Sequence, residues 1–126
     1  MRGIKYNGDD KLTLLELVLQ LHGEFRRSLE PIRVTPLQAG VLLFLRRHAD
    51  AKLTDAAAAL RVRQPTLHEV VKDLVRKRWV TKRRSLADTR AVCLSLSRQG
   101  QALARKIEVQ ARQVRSDLTP MKEAAS

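Results

Sequence analysis

The sequence predicts a mainly α fold with a small β-wing, a winged helix-turn-helix with flanking N- and C-terminal dimerisation helices. Three observations predict it. Residues 52–96 run in the order short helix, tight turn, basic helix, strand, charged loop, strand. The stretch ahead of them carries more apolar surface than one neighbour can cover. The positive charge of the chain is concentrated on the second helix of the pair and on the loop that follows it.

The elements follow in order. Residues 1–8 read as a flexible arm broken by Gly3, Asn7 and Gly8. Asp9 or Asp10 can cap a helix from Lys11 to Leu29, which Pro31 ends. Leu12, Leu14, Leu15, Leu17, Val18, Leu19 and Leu21 crowd more than one face of that helix, the pattern of a central core helix or of a subunit interface. In a chain of 126 residues the interface is the better fit.

Thr35-Pro36-Leu37-Gln38 is a helix start, with Thr as N-cap, Pro at the first helical position and Gln three residues after the cap. The helix runs to about Arg47 with Leu37, Val41, Phe44 and Leu45 on one stripe. Gly40 in its middle costs about 1 kcal/mol relative to Ala and suggests close packing against a neighbour. After an extended link closed by Leu53, Thr54 is expected to cap a helix over Asp55 to Leu60, whose Ala56 to Ala59 admit a second helix closely. Arg61-Val62-Arg63 is the turn. From Gln64, Leu67, Val70, Val71, Leu74 and Val75 repeat at helical spacing, with Gln64, His68, Glu69, Lys72 and Arg76 opposite.

Trp79-Val80-Thr81 starts a strand, and Ala91 to Leu96 alternates as a strand with one buried face. The loop between holds Lys82, Arg83, Arg84, Asp88 and Arg90. Ser97 caps a last helix to about Leu118 with Leu103, Ile107 and Val114 apolar. Residues 9–118 are thus expected to form one domain, with a groove-reading lobe over about 35–96 and dimerisation helices over about 9–29 and 97–118. Residues 119–126 read as a frayed tail.

Composition narrows the class. The chain is 44% hydrophobic with 25 Lys and Arg against 13 Asp and Glu, a net charge of +12. Such a charge predicts affinity for polyanions and says nothing about fold. One cysteine, Cys93, excludes an internal disulfide framework and fits a reducing cytoplasm. No stretch reaches the roughly 18 apolar residues of a membrane-spanning helix, so a soluble, cytoplasmic protein with no membrane partner is expected. Within residues 61–90 there are ten Lys and Arg residues against Glu69, Asp73 and Asp88. A basic run is often only a solvated face, but here it coincides with the helix face and the loop that a groove-bound module turns towards phosphates.

With these pieces placed, the sequence resembles the MarR family of winged-helix transcriptional regulators over about Lys11 to Gln113. The resemblance rests on Thr54-Asp55-Ala56-Ala57, on Leu60-Arg61-Val62-Arg63-Gln64-Pro65-Thr66, and on Asp88-Thr89-Arg90 followed by Leu94-Ser95-Leu96-Ser97 and Gly100, all in register with Thr35-Pro36-Leu37-Gln38. It implies a homodimer whose first and last helices interlock, double-stranded DNA as partner, a recognition helix in the major groove, a wing at the minor groove, and repression relieved by a small-molecule effector. Carried across by position, Gln64, Thr66 and His68 face the bases, Arg90 is the wing arginine, and Asp88 is the carboxylate that orients it. Gln can pair bidentately with adenine, a narrow minor groove attracts Arg, and a carboxylate can hold a guanidinium by a fork-like pair. Arg63, Lys72, Arg76, Lys82, Arg83 and Arg84 are expected on phosphates.

The sequence also departs from the family. Arg61 stands where Gly is usual, Arg63 where Ser often caps the helix, His68 for a common Ser, and Glu69 where Arg is frequent. Glu69 can accept from cytosine N4 or pair with Lys72 along the helix, with pairing the better expectation. The C-terminal region is shorter than usual, which predicts a reduced dimer interface.

A ligand pocket is expected near Leu21, Phe25, Leu37, Val41 and Arg105. The three histidines have no partners at metal spacing, and no phosphate loop, cofactor motif or hydrolytic triad is found, so neither metal, cofactor nor enzyme activity is expected. Cys93 in a strand reads as a small buried hydrophobe. The alternative to a sequence-specific regulator is a winged-helix module for protein assembly or non-specific nucleic-acid binding.

Overall fold

A computed structural model describes residues 7–115 and 117–120; most of the expected arm 1–8 and tail 119–126 lies outside the described residues. Its elements are α1 (Gly8–Leu29), a 3-10 turn (Glu30–Ile32), α2 (Pro36–Arg47), β1 (Ala51–Lys52), α3 (Leu53–Ala59), α4 (Gln64–Arg76), β2 (Val80–Arg84), β3 (Val92–Leu96) and α5 (Arg98–Gln113). The strands form one antiparallel sheet in the order β1-β3-β2.

Helix ends follow their local chemistry. Asn7, not Asp9 or Asp10, caps α1 by accepting from the Asp10 amide at 2.7 Å, so Gly8 belongs to the helix and not to an arm. Thr35 and Gln38 form the expected reciprocal capping box of α2, at 3.1 Å in each direction. Ser97 caps α5 by accepting from the Gly100 amide at 3.0 Å. Thr54 does not cap α3: the helix starts at Leu53, whose side chain is buried, and its N-cap Lys52 offers no side-chain acceptor.

The core is one cluster built from Leu29, Val34, the α2 residues Val41, Leu42 and Leu45, the α3 residues Ala56 and Ala57, the α4 residues Leu67, Val71 and Leu74, and Leu94 and Ile107. Phe44 and Leu37, expected on the buried α2 stripe, are only half-buried, and Leu42 takes the inner position. Ala56 and Ala57, with no side chain beyond Cβ, bring α3 against α4 as the alanine run suggests. Gly40 does not mark close packing, because a Cβ built there meets nothing within 4 Å. Gly100 does: a Cβ at that position would collide with the carbonyl of Trp79. That carbonyl accepts from the Ser97 amide at 3.0 Å, and Ser97 Oγ donates to the Arg78 carbonyl at 2.6 Å, which staples the start of α5 to the segment leaving α4.

Two strands differ from expectation. β2 continues through Lys82, Arg83 and Arg84, which pair with Leu94, Cys93 and Val92, so these three cations sit on a strand and not in a loop. β2 is an edge strand, where exposed Lys and Arg are tolerated and keep the free edge from pairing with another chain. β1 was not expected as a strand; its two residues pair with Leu94 and Cys93 on the other side of β3. Cys93 is buried between them, as its strand position suggested.

Helix α5 stops at Gln113, short of Leu118. Beyond it, Arg115 and Asp117 form a two-bond pair at 2.9 and 3.0 Å, a spacing that does not share a helix face. The departing chain lays Leu118 beside Leu14, Leu17, Val18 and Leu21 of α1, and the Gln20 side chain donates to the Thr119 carbonyl at 3.2 Å.

Candidate nucleic-acid interface

Helix α4 presents its polar side because its apolar residues alternate by three and four and are spent on α3, β2 and α2. Gln64, Thr66, His68, Glu69, Lys72 and Arg76 are all exposed, as are Arg63 before the helix and Lys82, Arg83, Arg84, Asp88 and Arg90 on the wing. A cleft of about 160 Å³ joins the start of α4 to the base of the wing, with Gln64, His68, Thr54, Arg90 and Val92 among its walls. Residues 26 positions apart in sequence, Gln64 and Arg90, therefore line one hollow.

The wing tip is tied by short-range bonds. Ser85 Oγ accepts from the amides of Ala87 and Asp88 at 3.2 and 3.3 Å, and Arg84 donates to the Thr89 carbonyl at 2.9 Å. The Asp88 carboxylate accepts from the backbone amide of Arg90 at 3.0 Å. Among the described residues it forms no ion pair with the Arg90 guanidinium, so the expected fork-like pair is replaced by a turn that fixes the Arg90 backbone and leaves its side chain outward.

Other cations are already engaged. Arg83 pairs with Asp50 at 3.1 Å, and Asp50 also accepts from Ser95 Oγ at 2.7 Å. The Ser95 hydrogen bond and then the Arg83 guanidinium hold the Asp50 carboxyl below its ordinary range, and the same pair raises Arg83. Arg76 and Lys77 both reach Asp73, at 2.9 and 3.3 Å, and Lys77 lies 5.1 Å from the Trp79 ring centre. Asp73 also accepts from Gln38 Nε2 at 2.8 Å, so the residue that boxes the start of α2 is bound to α4. Arg63, Lys72 and Lys82 carry no ion pair among the described residues. Neither does Glu69, and the expected Glu69–Lys72 pair is not formed.

Asp50 and Asp73 are the residues that sequence reasoning missed. Asp73 was visible only as a charge within a basic run, four residues before Lys77 and three before Arg76, which is a helical pairing distance. Asp50 had no local signal, because its partners Arg83 and Ser95 come from two later strands.

A family model described as MarR family matches residues 34–91, from the start of α2 to the end of the wing loop. Over these residues the chain is similar to the MarR family. Among curated relatives, the HTH-type transcriptional repressor MdtR of Bacillus subtilis (strain 168) is 28% identical over 92 residues, covering 73% of this chain and 59% of that protein. The chain thus aligns with less than two thirds of the relative's length. The apo crystal structure of wild-type MarR from E. coli is similar at TM-score 0.75 and 25% identity, covering 89% of this chain and 80% of that one. BpsR of Bordetella bronchiseptica, whose structure concerns regulation of DNA binding by 6-hydroxynicotinic acid, matches in fold at TM-score 0.79 and 23% identity, over 93% and 88% of the two chains.

The turn between α3 and α4 carries an arginine on each side of Val62. Arg61, where Gly is usual, adopts φ 55° in the left-handed region, at a cost of about 1 kcal/mol for a residue with a Cβ. Arg63 occupies the N-cap of α4 and makes no side-chain cap, as expected from the loss of Ser. The opening between α1, α2 and α5 is a cavity of about 210 Å³ walled by Phe25, Pro36, Gly40, Leu43, Ile107 and Ala111, among other apolar residues. Of the residues expected to line a ligand pocket, Phe25 does so here. Leu21 lies in a separate hollow with Leu118, Val41 is sealed in the core, Leu37 packs on the core, and Arg105 is exposed on α5. Among the described residues no cluster of His, Cys, Asp or Glu could hold a metal ion, and no helix is long and apolar enough to cross a membrane.

Proposed function

We propose that the chain is a sequence-specific DNA-binding transcriptional regulator, a repressor that binds a palindromic operator as a homodimer and is relieved by a small-molecule ligand. In this reading α4 enters the major groove with Gln64, Thr66 and His68 towards base edges, and the wing carries Arg90 to the minor groove. The observation that carries it is the shared cleft of Gln64, His68 and Arg90, on a face whose twelve candidate contact residues are all exposed. Arg63, Lys72 and Lys82, in no ion pair among the described residues, are the phosphate cations of first resort. Arg76, Arg83 and Arg84 must share or exchange their protein contacts to join them. Kinship with the repressor MdtR and the DNA-binding regulation of BpsR support the same reading.

Selection of bound sites from a random duplex pool tests it. A palindromic consensus is expected, with Arg90→Ala weakening that site by roughly tenfold or more and Gln64→Ala changing the preferred bases, each good base contact being worth about 1–3 kcal/mol. If no consensus emerges, and both variants hold specific and random duplex as the parent does, the protein is a non-specific or assembly module instead. Affinity should fall with salt at a slope of about −0.9 per phosphate neutralised under either outcome, so the sequence preference decides.

A further inference from the structure

Helix α4 carries two acids, Glu69 and Asp73, and the fold treats them differently. Asp73 takes Gln38 Nε2 at 2.8 Å, Arg76 at 2.9 Å and Lys77 at 3.3 Å. Glu69 is exposed and, among the described residues, enters no ion pair or side-chain hydrogen bond. Lys72, three residues on and within helical pairing distance, is left unpaired beside it. Nothing in the described fold therefore uses the Glu69 carboxylate.

Its place on the helix is specific. At about 100° per residue, Glu69 points about 160° away from both Leu67 and Val71, the buried residues two positions to either side. Pro65, Glu69, Lys72 and Arg76, spaced by four, three and four, form the outermost ridge of α4. Gln64 and His68 lie on the flank towards the wing, where they share a cleft with Arg90. Glu69 is also in the N-terminal half of the helix, the half that meets base edges in helix-turn-helix modules.

A carboxylate in a major groove is selective by charge. Phosphates repel it, and among the base edges only the N4 amino group of cytosine and the N6 amino group of adenine donate to it. Guanine and thymine meet it with acceptors. Adenine sets its N7 acceptor beside the amino group, opposing the second carboxylate oxygen, whereas cytosine has a C–H there. Cytosine is the base that fits, and the wrong bases are turned away by repulsion as well as by lost attraction.

We propose that Glu69 is a specificity-determining residue that reads cytosine through its N4 amino group in each half-site of the operator. This assignment rests on the proposed function as a sequence-specific regulator. The same charge lowers affinity for other sequences, so Glu69 widens the gap between specific and random DNA from both sides.

Site selection from a random duplex pool with the parent and Glu69→Ala, followed by titrations at fixed salt, tests it. The parent should select a cytosine that Glu69→Ala no longer requires, with the rest of the consensus kept. Glu69→Gln should exchange that cytosine for adenine, which offers the donor and acceptor a glutamine needs. Glu69→Ala should bind the selected duplex about tenfold more weakly, and random duplex more tightly, than the parent does. N4-methylcytosine at the same position keeps its pair with guanine while covering the amino hydrogen in the major groove. It should weaken the parent by about tenfold and leave Glu69→Ala unaffected.

A parent consensus that Glu69→Ala reproduces at every position would overturn the inference and leave the regulator reading standing. So would equal weakening of both proteins by N4-methylcytosine. A Glu69→Ala protein that binds selected and random duplex more tightly by the same factor would also overturn it, and make the carboxylate a general repulsive charge. A parent that selects no consensus would overturn the regulator reading and this inference with it.

Discussion

Gly100 stands in the first turn of α5 directly beneath the Trp79 carbonyl, which is itself held by the Ser97 amide. A methyl group there has backbone, not a movable side chain, in its way. Gly100→Ala is therefore expected to destabilise the fold by about 3 kcal/mol or more, read as a lower urea midpoint, because overpacking against fixed atoms must be relieved by moving α5 or the wing. At this scale the sequence was legible wherever a residue acts on its immediate neighbours. Thr35 with Gln38 and Ser97 with Gly100 are caps spaced by three, and the structure has both. It was less legible where geometry decides between two local partners. Asp88 lies two residues from Arg90, close enough for either its backbone or its guanidinium, and the turn selects the backbone.

The wing shows the same limit for an element. Period-two alternation disclosed β3, but β2 reads Val-Thr-Lys-Arg-Arg and buries only Val80, so no covered face beyond it imposes a pattern. β1 is two residues long and exists only through its pairing with β3. The anchor of this sheet is the Asp50 carboxylate between Ser95 on β3 and Arg83 on β2, a junction of three separate segments. Its depressed folded-state pKa means that its contribution is complete above the ordinary value of 3.8 and is lost as pH falls through the lower folded value. Both groups are exposed, so salt also weakens it. Asp50→Asn is thus expected to lower stability slightly near neutral pH, with the gap to the parent closing well below pH 3.8. Urea midpoints for the two proteins at both pH values check this; a gap that widens in acid would show that the carboxylate is not the anchor.

Across the whole molecule, the leucine crowding of α1 was the most informative feature of the sequence and remains unsatisfied within one chain. Leu12, Leu15, Val18 and Leu19 stay more than half exposed, while Leu29 is the one fully buried residue of the helix. An apolar stripe of this extent on a small domain marks a contact surface. Replacing Leu15 and Leu19 together by Asp is expected to yield a folded particle of half the parent's mass in light scattering, with operator affinity reduced through loss of the second half-site. A parent that is already monomeric would remove the dimer from the proposed function. Gln38 on α2 donates to Asp73 on α4 at 2.8 Å, a polar link that no sequence spacing could reveal across 35 residues. It ties the first turn of α2, which borders the cavity, to the helix proposed to read bases.

The four left-handed positions of the described chain are Arg33, Asp50, Arg61 and Arg78, and none is glycine. Arg61 and Arg78 come directly after the last turns of α3 and α4, where the helix dipole is negative and a cation recovers part of the backbone strain. The chain thus holds stability in reserve at corners where substitution by glycine would relax the backbone and remove positive charge in one step. Backbone strain and positive charge are coupled at Arg61 and Arg78, and relief of the one removes the other.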